Sequence, residues 1–397
     1  MTCFRAVRVA LVAVLALALA KSGTAGPGFP NTTPQEATAA RSDSAARDAA
    51  PRIEAIDKFL KGLLADDEPG AAVLVMRGGE VVHEAGYGIG DVKKKTPITR
   101  LSQFRLASVS KHFTATCILL LAQEGELALD DSLREHFPDF PDYADAIQIR
   151  HLLHHTSGLK DYMGLFAASL APAEPTSLDT VALLAEQDSL RFGPGQKFEY
   201  SNSGYVTLAA IAEHVSGQTL ADFAREHLFG PLGMEWSVYH DDQRPALPHR
   251  VRSYRRRAGG RWQDIDDHRL NVIVGDGAVY TNLVDMARWV RALDAGTLLS
   301  EELRTEAVTS GRLVDGTETG YGYGWQLGKF GGRPTIEHGG GWVGFRTYLL
   351  RIPSEKLAVV LLANFAGAAS NRWAREIARI VLGEAGDGQE GGDDGGR

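Results

Sequence analysis

The sequence predicts a mixed α/β (α+β) protein: one antiparallel β-sheet flanked by helices, with a mostly helical lobe inserted against it. Three observations predict this. Strand patterns cluster near both ends of the folded body, at residues 71–87 and 345–363. Helical periodicities dominate the interval between them. No internal repeat offers a solenoid or propeller as an alternative. A sheet assembled from both ends of the chain, with the middle packed against it, satisfies all three.

The elements follow in chain order. Ile53, Ile56, Phe59, Leu60, Leu63 and Leu64 recur at helical spacing. Ala71–Met76 and Glu80–Tyr87 read as a hairpin, with Gly78-Gly79 supplying the turn. A long helix is expected from about Ser108 to Glu124, with Val109, Phe113, Cys117 and Leu120 on one face. Further helices are expected at 203–215, 219–228 and 283–294. The arginine-rich stretch from Arg250 to Arg261 surrounds Gly259-Gly260 and alternates with Val251, Tyr254 and Trp262, which reads as a solvated hairpin rather than an anion site. Strands at Phe345–Ile352 and Leu357–Ala363 and a helix at 371–382 complete the body.

Both ends are expected to lie outside this body. Arg5 and Arg8 precede the uncharged apolar run Val9–Ala20, and small residues follow at Ala18-Leu19-Ala20 and Gly23-Thr24-Ala25. This is the pattern of a secretory signal peptide over residues 1–25, too short to span a bilayer. Periplasmic or secreted location, with no stable membrane anchor after cleavage, is the corresponding expectation. Residues 26–50 contain no Val, Ile or Leu and read as a disordered linker. Residues 383–397 hold seven glycines and five acids and read as a disordered tail, which leaves 51–382 as the folded domain.

Composition narrows the function. With 42 basic and 50 acidic side chains, the 397-residue chain carries a formal charge of −8, and −11 after loss of residues 1–25 with Arg5, Arg8 and Lys21. Phosphate binding needs clustered positive charge, so nucleic acid is not the expected partner. Two cysteines, Cys3 and Cys117, exclude a disulfide scaffold and a thiolate metal site. Cys117 sits in the run Cys117–Leu121 and reads as a small buried hydrophobe. The cluster His151-Leu-Leu-His154-His155 has no neighbouring carboxylate or cysteine, so no metal and no cofactor are expected.

No Gly-x-Ser-x-Gly elbow, His-Glu-x-x-His helix or Walker loop occurs. Ser-x-x-Lys occurs twice, as Ser108-Val-Ser-Lys111 and Ser157-Gly-Leu-Lys160. Residues three apart on a helix share a face, so Ser108 and Lys111 can meet if the helix starts near Ser108. Ser157 lies in a loop that does not orient its lysine. Ser108 is the candidate nucleophile and Lys111, in apolar surroundings, its candidate base. Tyr-x-Asn also occurs twice. Asn282 stands three residues before Asp285 and reads as a helix cap. Tyr200-Ser-Asn202 follows the turn Phe192-Gly-Pro-Gly195 and can project from a short loop. Late in the chain, His338-Gly339-Gly340-Gly341 is expected just before a strand, where glycines allow close approach of a substrate backbone.

In this order, and with the flanking text Phe104-Arg-Leu-Ala-Ser-Val-Ser-Lys111 and His151-Leu-Leu-His-His-Thr-Ser-Gly-Leu159, the three motifs resemble the serine β-lactamase and penicillin-binding-protein family on its class C side. The resemblance covers about residues 51–382. It implies the β-lactamase/transpeptidase-like fold and an acyl-enzyme serine hydrolase acting on an ester, amide or lactam in a small molecule or short peptide. It gives acylation to Ser108, proton transfer to Lys111 and Tyr200, and substrate contact to Asn202 and the 338–341 segment, with the N–H groups of Ser108 and Gly341 forming the oxyanion hole. D-Ala-D-Ala carboxypeptidase, carboxylesterase and non-catalytic ligand binder are the alternatives. His338 departs from the usual lysine, so efficient lactam hydrolysis is not expected, and an ordinary histidine there would gain charge as pH falls toward 6.

Overall fold

The computed structural model describes residues 51–168, 175–240 and 246–384, all within one unit spanning Ala49–Arg397. The signal-peptide and linker assignments, and the tail beyond residue 384, lie outside the described residues.

Helix α1 covers residues 51–61. Strands β1 (Ala71–Arg77) and β2 (Glu80–Tyr87) form the expected hairpin. Gly78 and Gly79 take φ of 60° and 84° at its turn, which only glycine adopts without strain. Helix α2 runs over Lys111–Glu124, α3 over Asn202–Ser216 and α4 over Leu283–Ala295. Strands β3 (Gln326–Phe330), β4 (Arg333–Trp342), β5 (Phe345–Ile352) and β6 (Leu357–Ala363) precede helix α5 (Ser370–Leu382). The six strands form one antiparallel sheet in the order β3-β4-β5-β6-β1-β2.

The sheet is central because β1 and β6 are apolar on both faces. Side chains alternate across a strand. Val73, Val75, Val359 and Leu361 therefore meet Ile56 and Leu60 of α1 and Trp373 and Ile377 of α5 on one face. Leu74, Val360 and Leu362 meet Phe113 of α2 and Met286 and Val290 of α4 on the other. Each fully buried side chain of this size contributes about 1.5–3 kcal/mol.

Four departures from the sequence expectations concern this frame. Helix α2 is buried all round, from Lys111 to Leu121, rather than on one face, because the sheet and the helical lobe sandwich it. Strands β3 and β4 were not expected: the His338–Gly341 motif does precede the strand Phe345–Ile352, but it also lies inside β4 itself. Glycine weakens strand patterning, and here the backbone at Gly340 passes so close to Leu106 that a side chain is excluded. A short three-stranded sheet joins Phe104–Arg105, Val279–Thr281 and Val238–Tyr239. The helix expected at 219–228 is Leu220–Ala224 followed by a π-helical turn, Arg225–Phe229. The arginine-rich stretch is the expected hairpin, Tyr254–Arg256 against Trp262–Asp264, and Arg250 and Arg252 pair with Asp266 and Asp264.

Candidate active site

Ser108 stands in a 3-10 turn, Ala107–Ser110, and the α-helix proper begins at Lys111. The helix thus starts one turn later than its periodicity suggests. Ala107 enters this turn at φ of 49°, a left-handed conformation that costs about 1–3 kcal/mol in a non-glycine residue and here sits against the candidate nucleophile. The turn is held from behind: Thr347 Oγ1 donates to Leu106 O at 2.6 Å, and Val279 N donates to Ser110 Oγ at 3.1 Å.

Lys111 is fully buried, and its Nζ reaches three acceptors. Asn202 Oδ1 lies at 2.8 Å, the Asp276 carbonyl at 2.9 Å and Ser108 Oγ at 3.4 Å. The serine contact is long, as catalytic hydrogen bonds often are before substrate tightens them. Asn202 is not spent on capping its helix. Ser201, not Asn202, caps α3, accepting from Gly204 N, so the Asn202 amide is free to hold the lysine. Tyr200 is 39% exposed and presents its ring to the same Nζ, 4.9 Å from the centroid.

The second copies of both motifs do none of this. Ser157 Oγ accepts from Leu159 N, and Lys160 turns to Gln187 and Asp188. Asn282 accepts from Asp285 N and caps α4. Cys117 is buried, and burial pushes its thiol well above the usual range. Among the described residues no metal-holding cluster of His, Cys, Asp and Glu occurs. His151, His154 and His155 each engage the backbone instead, at Gln148, Tyr321 and Ser201.

His338 is brought to the site but not as an exposed charge. Its Nε2 shares a 2.8 Å hydrogen bond with Tyr321 Oη, and its Nδ1 lies 2.7 Å from the Gly339 carbonyl. Burial, reinforced by the positive charge of Lys111, pushes its pKa down to about 3. The imidazole is therefore neutral throughout the physiological range, which corrects the expectation that it gains charge near pH 6. Gly340 packs its backbone against the Ser108 turn: a side-chain carbon there would lie 2.2 Å from Leu106 O and 3.2 Å from Ser108 N.

Sequence reasoning missed Asp276 and Tyr162. Tyr162 Oη donates to Asp276 Oδ2 at 3.0 Å, so the residue whose carbonyl holds Lys111 is itself fixed. Burial raises the Asp276 carboxyl, and Lys111 opposes that rise. The available signal was Gly275-Asp276-Gly277, an acid between two glycines. Gly275 has φ of 106° and lies against the Tyr205 carbonyl, which no larger residue permits.

The buried histidines predict acid sensitivity. His112 and His155 lie well below their ordinary range, His154 lies near 4 and His338 near 3, all chiefly through burial. The unfolded chain binds protons on these groups from about pH 6.5 downward while the folded chain does not. Stability is then present above pH 6.5 and falls as pH drops, by up to about 1.4 kcal/mol per pH unit for each histidine. Asp266, Asp276, Asp285 and Glu337 shift upward, also chiefly through burial, and act in the opposite sense. Their protonation sets in nearer the carboxylate range. Urea midpoints at pH 7.5, 6.5 and 5.5 should fall progressively; a flat series would contradict the burial of these imidazoles.

Known proteins place this geometry. The family model described as Beta-lactamase matches residues 56–382. The chain is 34% identical over 311 residues to penicillin-binding protein 4* of Bacillus subtilis, covering 74% of this chain and 67% of that protein. It is 31% identical over 317 residues to a D-aminopeptidase of Brucella anthropi, covering 79% of this chain and 59% of that one. The chain thus spans roughly three-fifths to two-thirds of these relatives' lengths. Among solved structures, the octameric penicillin-binding protein homologue from Pyrococcus abyssi aligns with a TM-score of 0.72 at 25% identity, covering 84% of this chain and 78% of that one. A D-amino acid amidase from Ochrobactrum anthropi SV3 shares the fold at a TM-score of 0.69 and 24% identity, covering 85% of this chain and 99% of that one. The chain belongs to the Beta-lactamase family and is a serine hydrolase of the β-lactamase/transpeptidase fold.

Proposed function

We propose that this chain is an exported serine acyl hydrolase that cleaves D-amino-acid amides, short D-peptides and simple esters. The carrying observation is the buried Lys111 Nζ, held by Asn202 and Asp276 within reach of Ser108 Oγ. In the proposed cycle Ser108 Oγ attacks the carbonyl carbon and its proton passes to Lys111, which acts in its neutral form. The N–H groups of Ser108 and Gly341 hold the oxyanion. Lys111 and Tyr200 return the proton to the leaving nitrogen or oxygen, which departs and leaves an ester on Ser108. Water, deprotonated by the same groups, releases the acid and restores the serine.

The substrate class rests on two supports. Relatives matched over most of this chain include D-aminopeptidases. The buried neutral His338 offers no standing charge to a carboxylate beside the scissile bond. Penicillin-binding protein 4* favours a second reading, a D-Ala-D-Ala carboxypeptidase, whose substrates do carry that carboxylate. A panel of D-alanine p-nitroanilide, p-nitrophenyl acetate, a D-Ala-D-Ala peptide and nitrocefin separates the two. The first two should turn over at least about tenfold faster in kcat/KM than the carboxylated pair, the size of one lost charged hydrogen bond. Faster cleavage of the D-Ala-D-Ala peptide would sink the aminopeptidase reading. Because His338 stays neutral down to about pH 3, the ratio between the two groups should be flat from pH 8 to pH 6. A rise at pH 6 would show that the imidazole titrates in contact with substrate.

Export rests on the charged start and apolar run of residues 1–25. N-terminal sequencing of the protein from its native compartment should begin within residues 21–26; an intact Met1 on cytosolic protein would refute this.

A further inference from the structure

Down α2 from Lys111, a cavity of about 340 Å³ opens between α2, α4, the segment 296–308 and the sheet. That volume is within the range of small-molecule sites. Its lining includes none of Ser108, Lys111, Tyr200, Asn202 and His338, so it is separate from the catalytic cleft. The walls are apolar, with Leu119, Trp289, Leu293, Val308, Trp325 and Ile336 among them.

Two arginines interrupt this lining, and they differ. Arg351 is spoken for: its Nη2 lies 2.6 Å from Asp294 Oδ1. Arg304 is not. Its Nε is buried without a hydrogen-bond partner, and among the described residues its guanidinium forms no ion pair, although Glu301 also lines the cavity. The guanidinium lies against Gly296, where a side-chain carbon would come within 2.2–2.7 Å of its Nη1, Cζ and Nε. Glycine at 296 therefore makes room for the arginine in the wall. A cation beside apolar surface, with buried donor capacity unused, is incomplete without an anion, and a planar guanidinium suits a carboxylate.

We propose that this cavity is a binding site for a small amphipathic carboxylic acid, with the carboxylate on Arg304 and the hydrocarbon body along the tryptophan-lined wall. Size sets the apolar part at a medium chain or a compact ring. Charge sets the head group, because a neutral alcohol of the same length leaves Arg304 unpaired.

Calorimetry with decanoate and with decanol on the full chain tests this. Decanoate should bind with a dissociation constant of about 1 mM or tighter. Arg304→Gln should weaken decanoate about tenfold or more, the loss expected for a charged hydrogen bond, and change decanol by less than about twofold. Arg304 is partly exposed, so this variant should fold. Ala292→Phe, which fills the cavity from α4, should weaken both ligands. Decanoate should not block labelling of the catalytic serine by a fluorophosphonate. Absence of decanoate binding, binding that survives Arg304→Gln unchanged, or blocked labelling in proportion to occupancy would each overturn the proposal, the last by placing the ligand in the catalytic cleft.

Discussion

Ser108→Ala is expected to lower kcat/KM for p-nitrophenyl acetate by at least about 10⁴-fold and to abolish labelling by a fluorophosphonate, while Ser157→Ala stays within about threefold of wild type. The two serines share a Ser-x-x-Lys tetrad, so the contrast tests geometry rather than motif. Ser108 has Lys111 Nζ 3.4 Å away, whereas Ser157 bonds its own loop and its lysine faces Gln187. Removing the Ser108 hydroxyl takes one weak hydrogen bond from a lysine that keeps two stronger ones, to Asn202 and Asp276. The melting temperature should therefore hardly move. Lys111→Ala is the less clean partner experiment. It should cost as much activity, but it strips the half-buried Asn202 and the buried Asp276 carbonyl of their donor, and a buried unsatisfied group costs about 1–3 kcal/mol. Retained labelling in a folded Ser108→Ala protein would remove Ser108 from the mechanism.

The sheet and the site were legible in the sequence to different depths, for physical reasons. The β1–β2 hairpin, β5, β6 and α5 announce themselves because β-branched runs, a Gly-Gly turn and a 3.6-residue period are local signals. Strand β4 does not, because its functional stretch is Gly339-Gly340-Gly341, chosen for the absence of side chains. Ser108, Lys111 and Asn202 could be singled out by spacing and by what their duplicates lack. That Asn202 faces the lysine instead of capping its helix depends on Ser201 serving as the cap. Asp276 works through its backbone carbonyl, and a carbonyl has no residue-type signature. His338 shows the limit most plainly. Its identity says that a fixed charge is missing, but only its burial beside Lys111, with Tyr321 Oη bonded to its Nε2, says that the ring is held neutral. Tyr321 lies 17 residues earlier, outside any motif.

Gly340→Val is expected to lower kcat/KM by about 10²–10³-fold in a protein that still folds. Strand β4 packs its backbone against the nucleophile turn at this residue. A side-chain carbon at 340 would lie 2.2 Å from Leu106 O, 2.3 Å from Thr347 Oγ1 and 3.2 Å from Ser108 N. Two of those atoms share the 2.6 Å hydrogen bond that anchors the turn, so the substitution breaks it or moves the strand outward. Overpacking of this kind costs about 1–3 kcal/mol of stability. A sheet with β1 and β6 buried on both faces should tolerate that. The activity loss is larger because the displaced parts are the two proposed oxyanion donors, Ser108 N and Gly341 N, and misplacing one such donor costs about 10²–10³ in kcat. The loss should therefore appear in kcat for p-nitrophenyl acetate, with KM little changed. Gly332→Ala makes the matched control: it sits in the β3–β4 turn, meets nothing within 4 Å, and its φ of 79° strains an alanine. It should lose stability without losing kcat. If Gly340→Val keeps wild-type kcat, the close approach of β4 to the Ser108 turn does not position the oxyanion hole, and Gly341 loses its proposed role.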